Sequence, residues 1–275
     1  MSLKFFRKIF NLDLTKKTSG KGRLRKLELL NLESRITPAT ITVTTLSDLS
    51  VHTGVSLRDA ITTANGTVAN DNIVFDSSLF SGGPGVITLA GSALPTIVNN
   101  GSLSIAGPGS STLTINGDDG NAARNFNIFN IGSSANFTVS GMTISGAKTT
   151  GNGGAFNSNA GILTVTDAII TNNYAASGAG IYGNSGTLTV SNTSITGNTS
   201  TSNGGGIFNF GRYGNSGPVK ITNTTISGNT AASGGGISNT APSITITGST
   251  ITRVILLPAT VVVLTMMADT ATLAP

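Results

Sequence analysis

The stretch "SNTSITGN" at residues 191–198 is echoed by "TNTTISGN" at 222–229, and the fold turns on whether this phrase is a duplicated chemical site or a unit of scaffold. Aligning the chain on the isoleucine of the phrase yields five copies: "TISGA" at 143–147, "IITNN" at 169–173, "SITGN" at 194–198, "TISGN" at 225–229 and "TITRV" at 250–254. The isoleucines are Ile144, Ile170, Ile195, Ile226 and Ile251, so the spacings are 26, 25, 31 and 25 residues. That is a solenoid period, which takes precedence over any motif reading.

Two further phrases recur in step with the first. A glycine phrase reads "GGAF" at 153, "GAGI" at 178, "GGGI" at 204 and "GGGI" at 234, and a β-branched phrase ends at Val139, Val165, Val190, Ile221 and Ile246. Each alternates apolar residues with Ser or Thr, the pattern of a strand with one face buried and one wet. Between the second and third phrases stands a column of Gly141, Asp167, Asn192, Asn223 and Gly248, all residue types that tolerate a positive φ, so it reads as a turn. Asn173, Asn198 and Asn229 form a second such column after the third phrase, and stacked amides at the strand spacing of about 4.8 Å can bond along the stack. Three strands and three turns in roughly 25 residues leave no room for a helix in each repeat, which disfavours leucine-rich and ankyrin-type units. The reading is an all-β, right-handed, single-stranded parallel β-helix, and the opening phrase is scaffold: one coil cannot bury its Ile/Val face without neighbours.

Composition agrees. The 275 residues include 36 Gly, only 10 % charged residues and 5 % aromatics, too apolar for a disordered chain and too poor in helix formers for a helical one. With no Cys there is no disulfide, thiolate metal site or cysteine nucleophile. The net charge of +5 divides unevenly: ten Lys/Arg against Asp13, Glu28 and Glu33 give +7 in residues 1–35, and six basic against eight acidic groups give −2 thereafter. The basicity therefore belongs to a tail, and the body offers no footprint for nucleic acid.

In that tail, "MSLKFFRKIFNL" places Phe5, Phe6, Ile9, Phe10 and Leu12 on one side of a short basic helix able to touch an anionic membrane surface, the alternative being a solvated, mobile terminus. "RKLELLNLESRITPA" at 25–39 resembles the Leu-Glu-x-Leu-Glu-x-Arg-x-x-Pro-Ala segment of large planctomycete surface and extracellular proteins, through Leu27, Glu28, Glu33, Arg35, Pro38 and Ala39. The resemblance implies export. The glycine and isoleucine phrases, together with "VSLRDAITTAN" (55–65), "NIVFD" (72–76) and "LSIAGPGSSTLTING" (103–117), resemble the bacterial parallel β-helix proteins related to polymorphic outer-membrane proteins, over residues 40 to about 252. Members commonly carry Cys where this chain has Val55. The resemblance implies an N-terminal cap, and Ser56 with Asp59 three residues later is a capping-box pattern for a short helix that closes the open end.

The organisation expected is a disordered tail and export segment at 1–39, cap and first coils at 40–120, regular coils at 121–253, and an irregular hydrophobic cap or truncated remnant at 254–275. The last region has an apolar run from Val254 to Ala268 broken by Pro258, shorter than the ~20 residues of a spanning helix.

Catalysis finds little support. A glycosidase needs two carboxylates and a Ca²⁺-assisted lyase needs an acid cluster, yet Asp167 is the one acid between residues 121 and 252, in a turn column. Asp118 and Asp119 read as a Gly-flanked turn, the alternative being a weak cation site, and His52 is the sole histidine, so no His-based triad set or multi-His metal site assembles. No cofactor or metal is expected. The informative irregularity is an insertion: seven residues separate Ile181 from Leu188, but twelve separate Ile207 from Val219. The resulting loop "FNFGRYGNSGP" carries Phe208, Phe210, Arg212 and Tyr213, and Phe210, Arg212 and Tyr213 are the candidate partner contact for a cell-surface glycan or protein, the alternative being a loop folded back over its own coil. The function expected is a non-catalytic, monomeric, exported spacer or adhesin-like module at the cell surface; the alternatives are a pectate-lyase-like enzyme or a truncated product without separate activity.

Overall fold

The computed structural model describes residues 38–98, 100–118, 120–211, 217–241 and 243–252, with the backbone of Val254–Leu256 and Val261–Thr265. The readings for the tail 1–37, Asp119, Arg212 and Tyr213 lie outside the described residues.

Alternating sequence gives strands, and the returning period makes them pair with the strand one coil away. A nine-stranded first sheet runs from Ala39–Val43 through Asp71–Phe75, Ser102–Ala106, Asn136–Ser140, Ile162–Thr166, Thr187–Ser191, Val219–Thr222 and Ser243–Thr247 to Val261–Thr265. A seven-stranded second sheet runs from Gly85–Thr88 to Thr250–Ile251, and a six-stranded third from Phe129–Ile131 to Val254–Leu256. Strands of one sheet pair in parallel and alternate in sequence with strands of the others, which defines a parallel β-helix.

Register converts the sequence columns into buried ladders. In the second sheet Ile87, Ile115, Ile144, Ile170, Ile195, Ile226 and Ile251 are successive Cα partners, each buried. The first sheet stacks Ile73, Ile105, Val139, Val165, Val190, Ile221 and Ile246 in the same way. Two coils therefore precede the five copies legible in the sequence; their isoleucines lie 28 and 29 residues apart (87 to 115, 115 to 144), outside the tighter period. Beyond Ile251, where the sequence reads as irregular, Val254 pairs with Ile237 and Val261 with Ser243, so the third and first sheets each gain a strand in register.

The two polar columns differ from each other. Gly141, Asp167, Asn192, Asn223 and Gly248 all adopt positive φ, from 49° to 63°. In the second column the positive φ falls one residue earlier, at Gly146, Asn172, Gly197 and Gly228. Asn173, Asn198 and Asn229 are thereby turned inward and are 1 %, 0 % and 3 % exposed. They form an amide ladder, Asn173 Nδ2 donating to Asn198 Oδ1 at 2.9 Å and Asn198 Nδ2 to Asn229 Oδ1 at 3.0 Å. The glycine phrase has its own division of labour: Gly204 takes φ +56°, while a Cβ on Gly205 would come within 2.5 Å of Gly235 O in the next coil.

The first coil is closed differently. Helix α1, Leu57–Asn65, stands where later coils have strands of the second and third sheets, and its Leu57, Ala60, Ile61 and Ala64 join the core. Its capping box is complete: Ser56 Oγ accepts from Asp59 N at 3.1 Å and Asp59 Oδ2 accepts from Ser56 N at 3.0 Å. Both ends of α1 are bonded to the coil that follows. Arg58 donates to Ala93 O at 2.6 Å and forks onto Asp48 at 2.7 and 3.0 Å, and Asn65 Nδ2 donates to Thr96 O at 2.8 Å.

Candidate binding surface

The third sheet carries the candidate surface, because its strands follow the glycine phrase. Alternation sends Phe156, Ile181, Ile207 and Ile237 inward, so the residue after each points outward. That outward column reads Asn130, Asn157, Tyr182, Phe208 and Ser238, and beside it Asn159, Asn184 and Phe210 are register partners. Amides thus give way to aromatics at one place. Tyr182 and Phe208 rings lie 5.7 Å apart and Phe208 and Phe210 rings 6.0 Å apart, both tilted. Phe208 is 8 % exposed, whereas Tyr182 and Phe210 are half-buried and offer ring surface to solvent. Burial pushes the Tyr182 hydroxyl above its usual range, partly opposed by its hydrogen bond with Asn152.

The amides flanking the patch are themselves ordered, with Asn184 Nδ2 donating to Asn159 Oδ1 at 2.8 Å and Asn157 Nδ2 to Asn130 Oδ1 at 3.2 Å. The arrangement offers flat apolar faces beside fixed donors and acceptors, a combination suited to holding a hydroxyl-rich or peptide ligand. Phe208 and Phe210 belong to the strand Ile207–Phe210, so the insertion starts at Gly211, later than the loop read from sequence. Tyr182 was missed by that reading. Its signal is its place after the glycine phrase, one coil before Phe208 in register.

Asp167, Asp118 and the Ser56–Asp59 pair are engaged in structure. Asp167 is exposed at φ +51°, where Asn192 Nδ2 donates to Oδ1 at 3.2 Å and Thr166 Oγ1 to Oδ2 at 3.1 Å. Asn223 donates on to Asn192 at 3.5 Å, so the carboxylate ends a short polar ladder along the turn. Asp118 pairs with Arg124 at 2.6 Å and is tied through its turn to Asn116 and Gly120. Ser56, Asp59 and His52 also meet, but wired against nucleophilic chemistry. Ser56 Oγ donates to Asp59 Oδ2 at 2.7 Å, and His52 Nε2 lies 3.2 Å from the same oxygen, so the acid stands between serine and imidazole. Asp59 is held below the usual carboxylate range, first by the Ser56 backbone bond, then by the Ser56 hydroxyl, His52 and Arg58.

Among the described residues no group of three or more His, Cys, Asp or Glu is placed to hold a metal, and no helix is long and apolar enough to cross a membrane. Compared with protein families, curated proteins and solved structures, the chain finds no match.

Proposed function

We propose that this chain is a non-catalytic, monomeric surface module: a rigid β-helix spacer that holds a cell-surface glycan or protein through Tyr182 and Phe210, with the buried Phe208 ring packed between them. The observation that carries the reading is the replacement of an ordered amide column by three touching rings on the outer face of the third sheet. A stacked solenoid fixes those rings on strands, so little ordering is required when a ligand docks. Arg212 and Tyr213 follow Phe210 closely in sequence and would extend the same contact. The export-type segment ending at Ala39 supports an extracellular or outer-membrane-associated location, and the phrases shared with polymorphic outer-membrane protein relatives support a surface role. The basic, Phe-rich start of the tail would add peripheral contact with anionic lipid.

The test is retention of the purified chain on a glycan array and on isolated bacterial envelopes, with polysaccharide cleavage assayed in the same samples. The proposal expects retention without cleavage, reduced at least tenfold in Tyr182→Ala and in Phe210→Ala. Cleavage, or retention unaltered by both substitutions, contradicts it.

A further inference from the structure

The first sheet contains one residue that breaks its own column. Leu103, Phe137, Leu163, Leu188, Val219 and Ile244 stack in register along the inner face, and the position before Leu103 in that stack is Asp71. Asp71 is only 4 % exposed. Its Oδ2 accepts from Thr67 Oγ1 at 2.5 Å, but its Oδ1 is buried without a hydrogen-bond partner among the described residues. The ion pairs among the described residues, His52–Asp59, Arg58–Asp48 and Arg124–Asp118, leave Asp71 out.

The surroundings add to the negative potential. Asp71 lines a small cavity with Ala64, Asn65, Asn100, Ser102 and Leu103, of which about 10 Å³ is free to a water-sized guest. Ala64 and Asn65 are the last two residues of α1, whose last turn carries no basic side chain, so the negative end of the helix dipole falls at the same cavity. A carboxylate in such a place is stabilised by a positive charge or a bound metal, the alternative for a buried acid being protonation.

We propose that this cavity is a site for a single small, hard cation, with Na⁺ the charge-matched occupant: one carboxylate oxygen and neutral oxygens from the lining hold it. The space admits one guest of about the size of a water molecule. The single carboxylate and the lack of any nearby sulfur or imidazole in the lining favour a hard ion over a transition metal. By joining the end of α1 to the first sheet, the ion would lock the cap onto the first full coil, independently of the third-sheet patch.

The experiment is thermal unfolding of the full chain in NaCl against choline chloride at equal ionic strength, which keeps screening constant while excluding a large cation from the cavity. The wild type is expected to show a melting temperature that rises along a saturating curve with Na⁺. Asp71→Leu, which restores the residue type of the column, is expected to fold and to show a flat response. Should Asp71→Leu fail to fold, ²³Na line broadening on the wild-type chain decides the matter: excess broadening supports the site. A wild-type response equal in Na⁺ and choline, a response retained in Asp71→Leu, or no excess broadening overturns it. Stabilisation by CaCl₂ but not NaCl, lost in Asp71→Leu, would overturn the assignment of Na⁺.

Discussion

The Asn198 side chain donates to Asn229 Oδ1 at 3.0 Å across one coil, although 31 residues separate the two in sequence. The same oxygen accepts the Asn198 backbone N–H at 2.9 Å, and Asn198 Nδ2 also reaches Ile170 O at 3.0 Å. One fully buried amide thus satisfies groups from three successive coils, which explains why Asn recurs at 173, 198 and 229 where an apolar residue would fill the same space.

Removing that amide should cost more than removing an exposed one. Asn198→Ala is expected to lower the free energy of unfolding by about 2–4 kcal/mol, since each buried polar group left unsatisfied costs ~1–3 kcal/mol. Chemical denaturation of the two variants side by side checks this, because Asn192→Gly in the exposed ladder should change stability by less than ~1 kcal/mol.

The turn column makes a separate claim about backbone. Asn192 sits at φ +50°, which a β-branched residue adopts only under strain. Asn192→Val should destabilise by at least about 1–2 kcal/mol relative to Asn192→Gly. Equal melting temperatures for the two would show that the turn is not left-handed.

At the glycine phrase the constraint is proximity. A Cβ on Gly205 would meet Gly235 O and Thr230 O, each at 2.5 Å, and both are backbone atoms that cannot rotate away. Gly205→Ala is therefore expected to cost about 1–3 kcal/mol as adjacent coils are pushed apart, read as a drop in denaturation midpoint.

The cap has a pH signature. Asp59 is depressed below its usual value of 3.8, so the stability it contributes is present above that value and is lost as pH falls through the lower, folded-state value. Ser56→Ala is expected to cost about 1 kcal/mol near neutrality, and the gap to wild type should narrow in acid as Asp59 protonates and the box opens. A gap independent of pH down to about 2 would contradict the assignment.

Much of this architecture was legible because burial imposes periodicity. The Ile144-to-Ile251 and Val139-to-Ile246 columns could be read directly, as could the Ser56–Asp59 box, since each rests on local spacing. The coils at Ile87 and Ile115 were harder to see, because loops such as 107–112 lengthen the repeat without disturbing the register. Asn173 looked like a turn residue because its neighbour Asn172 is one; only the φ values tell which of the two faces inward. Tyr182 and Asp71 escaped for a related reason. Each departs from its column in residue type, and a column shows its exceptions only once the register is known.

Coil register supports the patch, the amide ladder and the cation cavity alike, and the absence of native cysteine makes it directly measurable. Thr164, Thr189 and Lys220 are successive outward register partners in the first sheet. Spin labels on cysteines at all three positions should lie about 4.8 Å apart and give a single exchange-narrowed line in the electron paramagnetic resonance spectrum. Three resolved hyperfine lines, matching those of the singly labelled variants, would contradict the parallel β-helix stacking.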